Sequence, residues 1–332
     1  MLNTQTVDVR PQWQQELAQA ISDPFALAEL LELPRSWAEQ NASARRLFPL
    51  RVPRFFIDLM ERGNERDPLL LQVMPHALEF VEHPDFIADP LHEQQGQYNG
   101  ILHKYSSRVL VILRGGCAIN CRYCFRRHFP YEQHHFGRKE LAQLIDLITA
   151  DPAINEVILS GGDPLMATDN QLDRVIQALE QIPQIVRLRI HTRLPVVIPS
   201  RLSKTLANRL AKSRLQAVMV FHINHPNEVS ATLQANLTLY KQLGITLLNQ
   251  SVLLKQVNDD VTTLVELSEK LFAAGVLPYY LHQLDKVAGA SHFAISDADA
   301  VALSNAMRAQ LPGFLVPQLV REIAGEPNKT PL

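Results

Sequence analysis

RVLVILRGGCAINCRYC, residues 108–124, joins a short apolar run to a loop that holds all three cysteines of this 332-residue chain. Aliphatic and β-branched residues bounded by a Gly-Gly pair read as a buried β-strand. The same alternation continues outward. KELAQLIDLIT (139–149) has helical periodicity, EVILS (156–160) is a second strand, and NQLDRVIQALEQI (170–182) a second helix. VRLRI (186–190) precedes the helix SKTLANRLAKS (203–213), and AVMVFHI (217–223) precedes EVSATLQANLTLYKQLG (228–244). ITLLNQSVLL (245–254) precedes VTTLVELSEKLFAAG (261–275), and LPYYLHQ (277–283) precedes DADAVALSNAMRAQ (297–310). After the first unit a strand recurs about every thirty residues, the length of a βα unit in a parallel sheet. Gly244 and Gly275 close two of the helices and are expected as left-handed C-caps.

Six successive βα units without a dinucleotide-binding fingerprint predict an α/β protein built as a partial (β/α)6-type barrel, with a doubly wound open sheet as the rival. Residues 1–100 have a different texture. Helical segments at 11–20, 24–33, 36–48, 53–62 and 69–82 are broken by prolines, and residues 93–100, rich in Gln and Gly, read as a linker. The predicted division is an N-terminal helical extension over 1–100, a barrel over 101–322 and a C-terminal tail over 323–332. In a parallel barrel the chemistry sits where strands end. Polar residues collect there: the cysteines, SGGD (160–163), HTR (191–193), NHPN (224–227), NQS (249–251) and HQLD (282–285).

Composition narrows the function. Hydrophobic residues make up 46% and charged residues 20%, enough for a full core, and a net charge of -2 gives no global drive toward nucleic acid or anionic membrane. No apolar run approaches the roughly 20 residues that span a bilayer. The opening MLNTQTVDVR lacks the basic and apolar regions of a signal peptide. A cytoplasmic location is therefore expected. Three cysteines within eight residues make a poor disulfide framework and a good metal site. Thiolates bind zinc and iron–sulfur clusters alike. Zinc knuckles usually come as two C-x-x-C pairs and only one is present, so a Cys3His zinc site using His128, His134 or His135 stays open beside a cluster. A [4Fe–4S] cube held by three thiolates would leave one iron free to bind a small molecule.

The spacing C-x3-C-x2-C at Cys117, Cys121 and Cys124 resembles that of radical S-adenosylmethionine (SAM) enzymes. The aromatic Tyr123 and the SGGDP run (160–164) are similar to further features of that superfamily. Over roughly residues 50–332 the chain resembles the lysine 2,3-aminomutase family, and its short bacterial branch in particular. The likeness rests on DPL (89–91), CRYCFRR (121–127), SGGDPL (160–165), RLPVVIPSR (193–201), NHPNE (224–228), NQSVLL (249–254), PYY (278–280) followed by Asp285, and Lys329-Thr-Pro near the end.

The resemblance implies a radical SAM barrel carrying a [4Fe–4S] cluster on the three cysteines, with SAM against Ser160, Gly161, Gly162 and Asp163. It also implies pyridoxal 5′-phosphate (PLP) on Lys329, whose phosphate would meet Arg108 and Lys104, with Gln250 close by. By itself Lys329 would read as a solvated tail residue. Arg126 falls at the position that grips the substrate carboxylate, and Asp285 and Glu322 at positions facing the side-chain ammonium. By themselves Arg122, Arg126 and Arg127 would read as a basic surface patch for nucleic acid, which the balanced net charge disfavours. The implied reaction converts free L-lysine to (R)-β-lysine with electrons from a flavodoxin or ferredoxin. The implied fate of the product is a ligase that modifies elongation factor P, and a homo-oligomer is expected. An aminomutase for another amino acid, or a non-enzymatic Cys/His metal-binding module, are the alternatives.

Overall fold

The computed structural model describes residues 10–94, 100–131 and 136–332. Nine strands lie side by side in chain order: β1 (Ile101–Tyr105), β2 (Arg108–Arg114), β3 (Glu156–Gly161), β4 (Arg187–Thr192), β5 (Gln216–His222), β6 (Thr246–Val252), β7 (Leu277–His282), β8 (Gln318–Arg321) and β9 (Thr330–Pro331). β1 runs antiparallel to β2, β2 through β8 are parallel, and β9 returns antiparallel on β8. A doubly wound sheet reverses its strand order at a switch point. This sheet never reverses, which removes that rival. β1 and β9 remain as its two edges, so the barrel is open.

The six predicted strands are β2–β7, but the parallel set continues into β8, and the two antiparallel edge strands were not foreseen. Four residues after Pro317 give β8 little pattern of its own. It is recruited because Leu319 and Val320 bury beside β7.

On the outside lie α6 (Arg138–Ala150), α7 (Asp169–Glu180), α9 (Lys204–Ala211), α10 (Ala231–Gln242), α11 (Val261–Ala273) and α12 (Asp297–Gln310), with the single turn α8 (Leu194–Val197) after β4. Five of these starts are set by side-chain caps. Thr168, Ser203, Ser230, Asp260 and Ser296 each accept a backbone N–H of the first turn. Gly244 and Gly275 take φ of +77° and +81°, as C-caps require.

The N-terminal helices are shorter than predicted: α1 (Gln12–Ala18), α2 (Pro24–Leu30), α3 (Arg35–Asn41), α4 (Arg54–Ile57) and α5 (Pro68–Leu71). The prolines that open them also limit the turns between them. These helices do not stand apart. Trp13, Leu27 and Phe56 belong to the same continuous core as Val109, Leu159, Ile190 and Phe221 of the sheet. Among the described residues no helix is long and apolar enough to cross a membrane.

The segment read as a linker departs from expectation where it begins. Asp89 accepts the backbone N–H groups of Glu93 (3.0 Å) and Gln94 (3.1 Å), and Glu93 is buried. The rest of that segment, residues 95–99, lies outside the described residues.

Candidate active site

A cavity of about 1580 Å³, counted with its open mouth, occupies the barrel toward the carboxyl ends of the strands. Cys117, Cys121, Cys124, Ser160, Gly161, Gly162, Asp163, Lys104, Arg108, Arg126, Gln250, Asp285, Glu322 and Lys329 all line it. The residues that the resemblance assigns to cluster, cofactors and substrate therefore line one space.

The cysteine loop is held from beneath by the N-terminal layer. Arg122 donates to Glu79 through Nε (2.8 Å) and Nη2, and to the Phe48 carbonyl at 2.6 Å. Arg127 shares the same carboxylate at 2.6 Å. Arg51 reaches the Cys117 carbonyl at 3.2 Å, and the Asn120 side chain reaches that of Pro49 at 2.9 Å. Arg122, Arg126 and Arg127 are thus buried and ion-paired, which overturns a basic surface patch.

Above the loop, two backbones touch. The N–H of Gly162 donates to the Arg114 carbonyl (2.8 Å) and that of Asp163 to Gly116 (3.0 Å). A Cβ on Gly162 would lie 2.6 Å from the Gly116 carbonyl oxygen, and Gly161 has φ +117°. Only glycine fits there. The glycines that the resemblance sets against SAM approach the cysteine loop first of all. Asp163 is committed as well: it accepts from the N–H groups of Leu165 (2.9 Å), Arg193 (2.8 Å) and Leu194 (2.8 Å) and from Thr192 Oγ1 (2.8 Å). It ties the end of β3 to the end of β4.

The donor set suits a multinuclear cluster. Burial, then Cys124 and Asp163, raises the Cys117 thiol, and burial with Cys121 lifts Cys124 to about 11. Three thiolates crowded here need a strongly cationic partner. Arg193, unforeseen from sequence, donates through Nη1 to Cys121 Sγ at 2.8 Å. Its Nη2 is fixed by Gln72 (2.7 Å) and Glu228 (2.9 Å), and its Nη1 also meets the Tyr123 hydroxyl. His128, a candidate zinc ligand, instead pairs with the Ala288 carbonyl at 3.2 Å, and His134 and His135 lie outside the described residues. Among the described residues no three His, Cys, Asp or Glu side chains converge on a single-ion site.

Deeper in the cavity the charges alternate. Arg126 grips Glu93 through Nε (2.6 Å) and Nη2 (3.1 Å), and its Nη1 donates to Ser160 Oγ (3.2 Å) and the Gly161 carbonyl (3.1 Å). Lys104 reaches Glu93 at 2.7 Å and Glu322 at 3.5 Å, and Lys329 reaches Glu322 at 2.5 Å. Burial alone would raise Glu322, but Lys329 and Lys104 outweigh it and hold it at about 2. Glu93 is likewise pushed up by burial and held below the usual carboxylate range by Arg126 and Lys104.

Lys329 comes into the barrel because the tail is a strand. Thr330 and Pro331 pair with Arg321 and Val320, across a turn that contains Gly325 at φ +86°.

Among the described residues lining the cavity, Arg108 and Asp285 make no ion pair. Arg108 lies over the Tyr105 ring at 4.0 Å and makes no ion pair, which leaves it free for an anion such as phosphate. The Asp285 carboxylate has no hydrogen-bond partner among the described residues, and burial, then Glu322, raises it to about 7 against the pull of Lys329 and Lys104. It suits an incoming ammonium. His191 and His282 also line the cavity, with Nε2 buried and unpartnered, and burial keeps both neutral, His282 down to about 3. Glu93, Arg193 and these histidines were not singled out from the sequence. Only Arg193 and the two histidines carried a visible signal, lying in HTR and HQLD at strand ends.

A model of the Radical SAM superfamily matches residues 111–267. The L-lysine 2,3-aminomutase of Haemophilus influenzae is 54% identical over 319 residues, covering 96% of this chain and 94% of the relative. That of Escherichia coli is 50% identical over 327 residues, covering 97% and 95%. That of Clostridium subterminale is 32% identical, covering 96% of this chain and 77% of the relative. The crystal structure of a radical SAM methyltransferase from Sphaerobacter thermophilus superposes with a TM-score of 0.51 at 16% identity, over 68% of this chain and 69% of that one, which shows a common fold. An open parallel barrel, a cysteine loop at its rim and likeness to the Haemophilus and Escherichia relatives over nearly the whole chain lead to one statement: the chain belongs to the L-lysine 2,3-aminomutase family of radical SAM enzymes.

Proposed function

We propose that this protein moves the α-amino group of free L-lysine to the β-carbon, giving (R)-β-lysine. The observation that carries the reading is the single cavity lined by three cysteines, a tail lysine, an unpaired carboxylate and a free arginine. Cys117, Cys121 and Cys124 hold a [4Fe–4S] cluster, and SAM lies against Ser160 and the Gly161–Gly162 backbone, a position that Asp163 braces. Lys329 holds PLP, Arg108 and Lys104 take its phosphate, and Gln250 lies beside it. When bound, the cluster and SAM supply a carbon-centred radical that removes hydrogen, and PLP supplies the carbon–nitrogen double bond across which nitrogen migrates.

The protein's part is orientation. Arg126 fixes the lysine carboxylate with a planar fork, while Asp285 and Glu322 face the ε-ammonium. A carboxylate at each of those two positions favours a cationic side chain over an acidic one. A lysine within a polypeptide would offer no carboxylate to Arg126, so free lysine is the substrate. Residues 1–100 act as the extension that seats the cysteine loop, 101–322 as the barrel, and 323–332 as the tail carrying Lys329.

The protein works in the cytoplasm as a homo-oligomer, reduced by a flavodoxin or ferredoxin. Its β-lysine passes to a ligase that modifies elongation factor P, a role that rests on likeness to the short bacterial branch. Anaerobic incubation with L-lysine, SAM, PLP and a reductant tests the chemistry. β-Lysine is the expected product, and turnover of a different amino acid in a panel, with lysine untouched, overturns the assignment. Borohydride reduction of the PLP-loaded protein places the pyridoxyl group on Lys329. A label on Lys104 or Lys286 instead contradicts the tail's role.

A further inference from the structure

Arg126 has almost nothing left to offer a ligand in this state. A carboxylate is gripped best along one edge of a guanidinium, by two parallel N–H groups. The Nε/Nη2 edge of Arg126 already holds Glu93, at 2.6 and 3.1 Å. On the other edge, Nη1 donates to Ser160 Oγ at 3.2 Å and to the Gly161 carbonyl at 3.1 Å. Both Arg126 and Glu93 are buried. A second carboxylate entering beside an intact pair would place two anions on one cation away from bulk water, which is strongly opposed.

We propose that Glu93 is a specificity-determining residue: it occupies the Arg126 fork until the α-carboxylate of the substrate replaces it. The proposal rests on the reading of Arg126 as the carboxylate site. The exchange leaves no charge alone. Glu93 Oε1 is already 2.7 Å from Lys104 Nζ, so the displaced carboxylate keeps a cation, one it shares with the phosphate site. Its main chain is fixed by the Asp89 side chain through two backbone N–H groups, so the movement is one of side-chain rotamers. The carboxylate that leaves Arg126 and the one that arrives are chemically alike, so the swap itself is nearly balanced. Only a ligand that brings its own carboxylate can make it. A diamine of the same chain length, with ammonium groups but no carboxylate, leaves Arg126 and Glu93 joined and gains nothing from either.

The test is equilibrium dialysis of labelled L-lysine against protein loaded with cluster and PLP. SAM is present and reductant is withheld, so that binding is read without turnover. 1,5-Diaminopentane serves as competitor. Glu93→Gln removes the internal rival at constant size. L-lysine should then bind about tenfold tighter, equivalent to about 1.4 kcal/mol, and 1,5-diaminopentane should bind no better than before. Glu93→Asp, which keeps the charge but shortens the reach, should tighten lysine by a smaller factor, and it preserves the test if the glutamine variant folds poorly. Unchanged or weaker lysine binding in Glu93→Gln, with normal iron and PLP content, overturns the proposal and makes Glu93 a fixed support for Arg126. Arg126→Gln distinguishes the two levels. If it loses lysine while Glu93→Gln fails to tighten it, only this proposal falls. If Arg126→Gln binds lysine as the parent does, the reading of Arg126 falls, and the role of Glu93 with it.

Discussion

Asp285→Asn should make the ligand-free protein more stable and the enzyme worse. The Asp285 carboxyl is raised from 3.8 to about 7, chiefly by burial and then by Glu322, with no hydrogen bond to relieve it. Between about pH 4 and 7 the folded state keeps a proton that the unfolded chain has released, so stability is lost as pH rises through that window and is level above it. The rise spans about three pH units at 1.36 kcal/mol each, about 4 kcal/mol at pH 8. Water in the open cavity reduces this to about 2–4 kcal/mol, and at pH 5 less than half of it applies.

Asparagine has the same shape without the charge. For a chain of this size the unfolding entropy is about 0.7 kcal/mol/K, so the Tm of Asp285→Asn should exceed that of the parent by about 3–6 °C at pH 8. At pH 5 the gap should shrink to about 1–2 °C. The assay is a pair of thermal scans at each pH on cluster-loaded protein without PLP or lysine. Titrating groups that do not face Asp285 are common to both proteins and cancel. The same substitution should weaken L-lysine binding by about 3–5 kcal/mol and leave L-norleucine, which lacks the ε-ammonium, little affected. An equal Tm gain at both pH values, or equal loss of both ligands, would refute the reasoning.

Gly162→Ala should detach the cysteine loop, because its Cβ would lie 2.6 Å from the Gly116 carbonyl oxygen and within 2.9 Å of the Gly115 carbonyl carbon, all of it backbone. Iron incorporation on anaerobic reconstitution should fall several-fold with the far-ultraviolet spectrum unchanged, and full loading would count against the contact. Arg193→Gln leaves Glu228 buried without its cation and should cost about 3–5 kcal/mol in chemical unfolding. Adding Glu228→Gln should recover part of that, and no recovery would mean that the pair is not what Arg193 contributes.

The parallel sheet was legible because its strands read as short apolar runs between helical patterns, β2 and β3 buried along most of their length and β4 and β6 alternating. The edges were not. β9 has two residues and no pattern, yet it is what brings Lys329 into the barrel, so a tail that reads as solvated belongs to the site. The cysteine loop was legible from its own spacing. Its supports were not, because they act across long chain separations: Arg122 with Glu79, Arg193 with Glu228 and Gln72, and Arg51 with the Cys117 carbonyl. Local patterns cannot show which of several arginines a distant glutamate will meet. Glu93 shows the same limit most sharply. It opens a run of Gln and Gly and reads as linker, whereas the Asp89 carboxylate accepts the backbone N–H groups of Glu93 and Gln94 and folds that run's start into the cavity.

Those long-range pairings also explain how so many charges share one space without a ligand. Arg126, Glu93, Lys104, Glu322 and Lys329 form a sequence of alternating sign in which each charge is compensated by its neighbour. Each of the five contacts a group that this reading assigns to cofactor or substrate, or is such a group itself. Under the proposed assignment, binding proceeds by exchange of partners within the chain of charges, which avoids exposing a lone buried ion at any stage. Arg108 stands outside this exchange because it makes no ion pair, and Asp285 because it remains partly protonated near neutral pH. These two can receive charge directly, a phosphate at one and an ammonium at the other. The division predicts different salt and pH responses. Events at Arg108 and Asp285 should vary strongly with ionic strength and pH respectively, while the exchange at Arg126 swaps like for like and should vary little with either.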